Sequence, residues 1–490
     1  MKLKLTPAIT TAALVLAAAN TVYAQYTPPA PLQPFPGFIN DALRKQDPYY
    51  SVWDVGGAVR LRYEVKENGL GLPPVNDFRQ NGVDNDNSYF SDKILARVAY
   101  TDKWWSAYVE GRSSSTTGDD RTPKFETDDP IDLHQAYFTL GNHKEFPLSL
   151  KVGRQELSYG DDRLVGAFPW HNIGRVFDAV KLRWQNEYFA ADVFASRIVL
   201  PNDNNFNVNN EDALFSGVNI SSKKIPKVLT EVYFFARNDS PGSTTADTGS
   251  FAPFQTPAPF ERNVYTLGAR FKSNPGDLGN FDFTVEGAYQ FGDWRQTAVS
   301  AELDHEAFAG VVNVGYTFGD APTAPRFALE YAYASGDSSP TDGKHGTFEN
   351  LFPTNHKFYG YMDFLSWQNI HDVRAIFQMK PHPRLSLSLE GHMFWLADTA
   401  DSLYNVGGAA RTTPGSTVGG GNGYNLNPSY DNYVGSEVDI VAGFILTKFA
   451  TLEVGYGHFF RGDYIKQSWS DAAFGSQDAD WVYVQTTVRF

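Results

Sequence analysis

The sequence predicts an all-β protein, a transmembrane antiparallel β-barrel of about eighteen strands with tight turns at one end and long loops at the other. Three observations predict it. Apolar and charged residues alternate with period two in segment after segment. Tight and long connections alternate along nearly the whole chain. Finally, 15% aromatic residues and 42 glycines, with a modestly negative mean hydropathy, suit alternating strands with aromatic girdles better than a soluble core.

In chain order, residues 1–24 combine Lys2 and Lys4, a short apolar run and Val22-Tyr23-Ala24, which predicts a signal peptide cleaved before Gln25. Its removal takes the formal net charge from −15 to −17, which argues against a nucleic-acid or anionic-surface binder. The absence of cysteine argues against a small disulfide scaffold. Past residue 24 no apolar run approaches the roughly 18 residues of a spanning helix. Residues 25–52 are proline-rich at first and predict an extended periplasmic tail, or a partial plug.

The barrel is expected over 53–490. In the first strand Val59, Leu61, Tyr63 and Val65 share one face, while Arg60, Arg62 and Glu64 share the other. In a barrel the apolar face meets lipid and the charged face the lumen. Ile94, Ala96, Val98 and Tyr100 likewise oppose Arg97, and Trp105, Ala107 and Val109 oppose Glu110 and Arg112. Farther on, Tyr265 to Phe271 oppose Arg270, and Val373 to Met379 oppose Arg374. Such runs begin near Asp54, Phe90, Trp104, Ile131, Leu148, Arg175, Tyr188, Ala213 and Val228. The others begin near Asn263, Phe281, Ala307, Arg326, His371, Leu385, Gly435, Ala450 and Asp480. Connections at Asp102, Asn186, His382 and Lys448 are tight, whereas those containing 69–89, 201–212, 238–259, 336–369 and 398–433 are long. Tight turns then lie in the periplasm with both termini. A soluble sandwich would need apolar inward positions, and these carry arginine and glutamate.

Inward charge is unevenly spread. Parity sends Arg60, Arg62, Arg97, Arg112, Lys151, Lys181 and Arg183 inward on the first six strands, and Glu286, Glu330, Glu390, Glu437, Asp439 and Glu453 inward on the eleventh to seventeenth. This predicts a basic wall facing an acidic one; the competing reading is a lumen filled by structural salt bridges. Strict alternation puts Arg154 with Leu150 and Val152, and Asp178 with Val180 and Leu182, on the lipid side. A charge at mid-bilayer costs about 2–4 kcal/mol. Either a bulge at Gly153 resets the register or the two residues lie beyond the hydrocarbon zone.

The stretch GRQELSYGDDRLVGAFPWHNIGRVFDAVKLRW, from Gly153, joins two strands through a loop dense in charge and aromatic residues, suited to fold inward. Its elements GRQ-L-YGD-RL and W-N--R-FDAV-L resemble the alginate-export family of outer-membrane β-barrels, as do LFPTNHKFYGYMDFLSWQNIHDVR from Leu351 and GYGHFFRGDYIK from Gly455. The terminal WVYVQTTVRF resembles the strand that barrel assembly machinery recognises. The resemblance implies an outer-membrane channel exporting alginate or a similar polyuronate, with Arg154 and Asp178 in the channel. Arg374 and Arg461 complete the set of expected pore-lining residues, and Arg154, Arg175, Lys181 and Arg183 converging with Asp178 would form the narrowest charged ring. Arginine suits uronate carboxylates because its planar fork binds them bidentately. The implied partners are a polysaccharide or oligosaccharide substrate, outer-membrane lipid and lipopolysaccharide, and the assembly machinery.

No catalytic motif is present, and adjacent pairs such as Asp304-His305 face opposite ways in a strand. No cofactor is implied. The stretches at Asp84 and Asn202 lack the full calcium-loop pattern. The alternative function is a general porin for oligosaccharides or small solutes; a loop-borne enzyme or an adhesin is a third class.

Overall fold

The computed structural model describes residues 37–68, 79–80, 86–119, 128–201, 206–240, 261–295, 301–408, 410, 426–471 and 475–490. The expected signal peptide and the prolines before Gly37 lie outside them, as do the first residues of the stretches from Asp84 and Asn202. Eighteen strands form one closed antiparallel barrel. They are β1 (Trp53–Glu67), β2 (Asn87–Thr101), β3 (Trp105–Thr117), β4 (Asp129–Leu140), β5 (Leu148–Gln155) and β6 (Phe177–Gln185). Next come β7 (Phe189–Leu200), β8 (Ala213–Ser222), β9 (Leu229–Asp239), β10 (Arg262–Leu278), β11 (Phe281–Arg295) and β12 (Glu302–Thr317). The last are β13 (Arg326–Ala334), β14 (Ile370–His382), β15 (Leu385–Leu396), β16 (Tyr433–Thr447), β17 (Ala450–Arg461) and β18 (Ala479–Arg489).

Each strand pairs with its sequence neighbours, and β18 closes on β1 with Arg60 opposite Thr487. Phe490 exchanges both backbone bonds with Gly57, at 3.0 and 3.1 Å, so the ladder runs to the last residue. Closure removes both sheet edges. The tight connections all fall at one end, beside both ends of the described chain, and the long ones at the other. The alternation read from the sequence is a physical one. Leu61, Tyr63, Val98 and Val109 are exposed to the lipid side, whereas Arg62, Glu64, Arg97 and Arg112 between them are buried. Near the tight turns outer aromatics touch in a belt, from Phe281 through Tyr316, Phe318 and Phe327 to Phe377, with centroids 4.6–6.1 Å apart.

Not every inward position is polar. Phe177, Phe194, Phe215 and Phe235, one on each of β6 to β9, point inward and are buried. They pack on loop residues Leu164, Val165 and Phe352, so part of the lumen is a dry core rather than a wet wall.

The expected periplasmic tail is in part a helix. After the prolines FINDALRKQ contains no helix breaker, and α1 (Phe38–Gln46) lies against the barrel end. Residues 53–56 of β1 overhang the end of β18, which leaves their backbone without ladder partners on that side. Asn40 accepts from Val55 N at 2.7 Å and donates to Asp54, Arg44 donates to the Trp53 carbonyl, and Phe38 packs on Phe449 and Phe490. A second helix, α2 (Asp463–Asp471), buries Tyr464, Ile465 and Trp469 at the opposite mouth.

Candidate functional site

Two connections enter the lumen. The first, residues 156–176, follows β5; the second, residues 335–369, joins β13 to β14. They are zipped together. Gly166 donates to the Phe352 carbonyl, Phe352 to that of Leu164, and Thr354 to that of Asp162, each at 2.9 Å. Arg175, fully buried, donates to the carbonyls of Gly166 and Pro353 at 2.9 and 2.8 Å. Phe168 and Leu351, at φ 53° and 48°, hold left-handed conformations that bulky residues rarely adopt, and they flank this junction.

The first loop presents its carbonyls to β1–β3. Arg60 donates to Pro169 and His171, Arg62 to Trp170, Lys93 to His171, and Arg112 to Ile173, all at 2.8–3.3 Å. Trp170 is held between the Arg62 guanidinium and the His356 ring, each 3.9 Å away. The second loop presents N–H groups to β16, with Met362 donating to Glu437 at 2.8 Å and Tyr361 to Asp439.

Of the residues expected to line the pore, Arg60, Arg62, Arg97 and Arg112 lie on the lumen side of β1–β3. Arg62 pairs with Glu64 at 2.8 Å, Arg97 with Asp54 at 3.3 Å, and Arg112 with Asp129. Lys181 and Arg183 share Asp192, at 3.9 and 3.3 Å. Arg374 binds Glu390 through Nε at 2.8 Å and reaches Glu330. Arg461 sits at the loop-side end of β17, against Ser476 and Asp478.

The expected ring of Arg154, Arg175, Lys181, Arg183 and Asp178 is not assembled. Alternation continues through Gly153: Val152 faces Val180, Gly153 faces Ala179, Arg154 faces Asp178 and Gln155 faces Phe177. Val152 and Val180 are exposed while Ala179, Gln155 and Phe177 are buried, so Arg154 and Asp178 keep the lipid-side parity rather than entering the channel. They form a forked pair at 2.9 and 3.2 Å where this short hairpin ends, covered by Asn209 of the β7–β8 connection. Strict parity gave their face; the resemblance pointed the other way. Arg175 is spent inside the loop junction.

Lys93 joins the lumen set and shares Arg97's parity within DKILAR, so period two carries its signal. The first loop's ion pairs carry no periodic signal. Arg163 of the first loop pairs with Glu330 at 2.7 Å, both buried, and Asp161 takes Arg270 and Lys272 at 2.8 and 2.6 Å. These contacts hold Asp161 below the usual carboxylate range, with burial opposing them.

Two cross-strand pairs oppose like charges. Arg60 faces Lys93, and Lys151 faces Lys181. Among the described residues no carboxylate lies within ion-pair distance of Arg60, Lys93 or Lys151; the Lys151 ammonium instead sits 3.5 Å over the Tyr137 ring.

Solved structures share the fold. Pseudomonas aeruginosa OpdO is similar with a TM-score of 0.54 at 12% identity, covering 89% of this chain and 97% of that one. Acinetobacter baumannii OccAB4 gives 0.53 at 10% identity, covering 89% and 98%. Pseudomonas aeruginosa OccK2 (OpdF), solved in complex with glucuronate, gives 0.52 at 11% identity, again covering 89% and 98%. No curated protein matches the chain. A family model described as Alginate export matches residues 52–473. The chain belongs to the alginate export family and is a channel of the bacterial outer membrane.

Proposed function

We propose that this channel passes an acidic polysaccharide of the alginate-like polyuronate class. The observation that carries the reading is the pair of like-charge contacts, Arg60 with Lys93 and Lys151 with Lys181. Directly opposed side chains lie roughly 5 Å apart, and like charges there destabilise the sheet. A fold-only wall would have paired Arg60, Lys93 and Lys151 with carboxylates. A passing carboxylate offsets the repulsion, and carbonyl partners orient Arg60 and Lys93 without neutralising them. Glucuronate bound to OccK2 is an acidic sugar in a barrel of this fold, which supports the same class.

A general porin for small acidic solutes is the second reading. The observation favouring it is that the two loops meet across the lumen and leave an aromatic and aliphatic core there. Planar-bilayer recording with uronate monomers, with oligouronates of increasing length and with neutral oligosaccharides separates the two. Block that strengthens with oligouronate length supports the polyuronate; equal block by monomer and oligomer leaves the porin. Block by neutral sugars as strong as by uronates overturns both.

A further inference from the structure

The second loop has a fixed point that solute passage does not use. Lys344 and His345 run parallel to Asp304 and His305, along the part of β12 that extends past the end of β13. The two imidazoles, both buried, meet Nδ1 to Nδ1 at 3.1 Å. Trp294 of β11 stacks on His345 with centroids 4.1 Å apart and rings 8° from parallel.

Neighbouring backbone fixes which nitrogen carries each proton. Gln290 accepts from Glu349 N through Oε1 and donates through Nε2 to the Glu349 carbonyl, both at 2.7 Å, so its amide has one orientation. His305 Nε2, 3.3 Å from that Oε1, must therefore carry a proton. Neutral His305 then has a lone pair at Nδ1, and His345 must donate to it from its own Nδ1. His345 Nε2 is left as the open base.

We propose that the His305–His345 pair is an acid-labile latch on the loop that crosses the lumen. A first proton enters at His345 Nε2, breaks no bond and gives a cation stacked on Trp294. A second must enter at His305 Nδ1, where it sets two N–H groups against each other and two positive rings in contact. The surroundings relieve that repulsion only in part, through Glu349 and the His345 carbonyl. Arg262 lies 5.0 Å over Trp294, and Glu349 is taken by Arg237 and Arg262 at 2.7 and 3.2 Å. Asp239 is likewise held by those two arginines, and on the outer side Lys344 pairs with Glu306 at 2.8 Å, leaving Asp304, Asp293 and Asp342 beyond it. Burial and the neighbouring Arg262 hold the His345 imidazole well below its ordinary value. Burial holds the His305 imidazole down to about 4, so the latch is closed at neutral pH and opens as pH falls toward that value.

The test uses the full-length barrel in a planar bilayer, acidifying one side at a time from about pH 7 to about pH 3.5. Acid on the long-loop side is expected to raise current variance about twofold or more, reversibly, as the loop is freed. His345→Gln should conduct as the parent does at neutral pH and lose the acid response, because an amide can donate to neutral His305 and accept from the protonated ring. His345→Ala should show the raised variance already at neutral pH. An absent response in the parent, or an equal response in His345→Gln, overturns the latch. If His345→Ala does not fold, the parent and glutamine comparison still decides.

Discussion

The two halves of the lumen treat charge in opposite ways. Between β9 and β15 four carboxylates are locked by named cations, with Arg163 on Glu330, Arg374 on Glu390, Arg326 on Asp282 at 2.6 Å and Arg270 on Glu231. On β1–β6 several cations meet loop carbonyls or an aromatic ring instead. A carbonyl carries a partial charge and orients a cation; a carboxylate cancels it. One half therefore cancels its charges, and the other leaves several cations without a carboxylate. On the function proposed above, the difference separates what holds the loops from what meets the solute.

The strongest way to break this contrast is Arg163→Ala, which leaves buried Glu330 with Asn313 and the more distant Arg374, at a cost of up to about 3–5 kcal/mol. Heat-modifiability on gels and a denaturant midpoint should both fall sharply. Replacing Arg163 and Glu330 together by leucine and methionine should restore most of the loss; no loss in the single variant would mean that the acidic half does not depend on its pairs.

On the basic half the expected signs reverse. Lys93→Ala combined with Lys151→Ala should fold as well as the parent, or better by up to about 1 kcal/mol, because like-charge contacts disappear. The same change should weaken block by oligouronates about tenfold, roughly 1.4 kcal/mol, and shift reversal potentials toward cations. Unchanged anion preference in the folded double variant would return the basic wall to a structural role.

Salt gives a smaller, graded effect. Raising ionic strength from about 0.1 to about 1 M shortens the screening length from ~10 to ~3 Å, so uronate block should decline in the parent and hardly at all in the lysine double variant. The smallest effect belongs to Arg154→Ala. Its partner Asp178 is part-exposed at the hairpin end, so about 0.2–1 kcal/mol of stability and no change in selectivity are expected. A selectivity shift there would place the pair in the conduction path after all.

Much of the barrel was legible because period two is a local signal: each strand start read from the sequence lies within a few residues of a strand, and closure requires the last strand to meet the first. The loops were not legible in the same way. Thr354 bonds to Asp162 and Tyr359 to Arg163 across almost two hundred residues, and no periodicity encodes such meetings. Inward Phe194, Phe215 and Phe235 break the polar-inside rule because loop side chains, not water, face them. Arg154 teaches the converse. Local parity placed it on the outer face, and a conserved-looking motif was a poorer guide to direction than the pleat.

Helix α1 depends on both ends of the cylinder at once. Asn40 and Arg44 bond the overhang of the first strand, while Phe38 rests on the final residue, Phe490. Those two surfaces are neighbours only after β18 has met β1, so the helix has no complete docking site on an open sheet. Its seating is a record of finished assembly. The segment made early in synthesis thus waits for the last residue before it can settle, and its protection from an added protease would mark how many molecules in a population have closed.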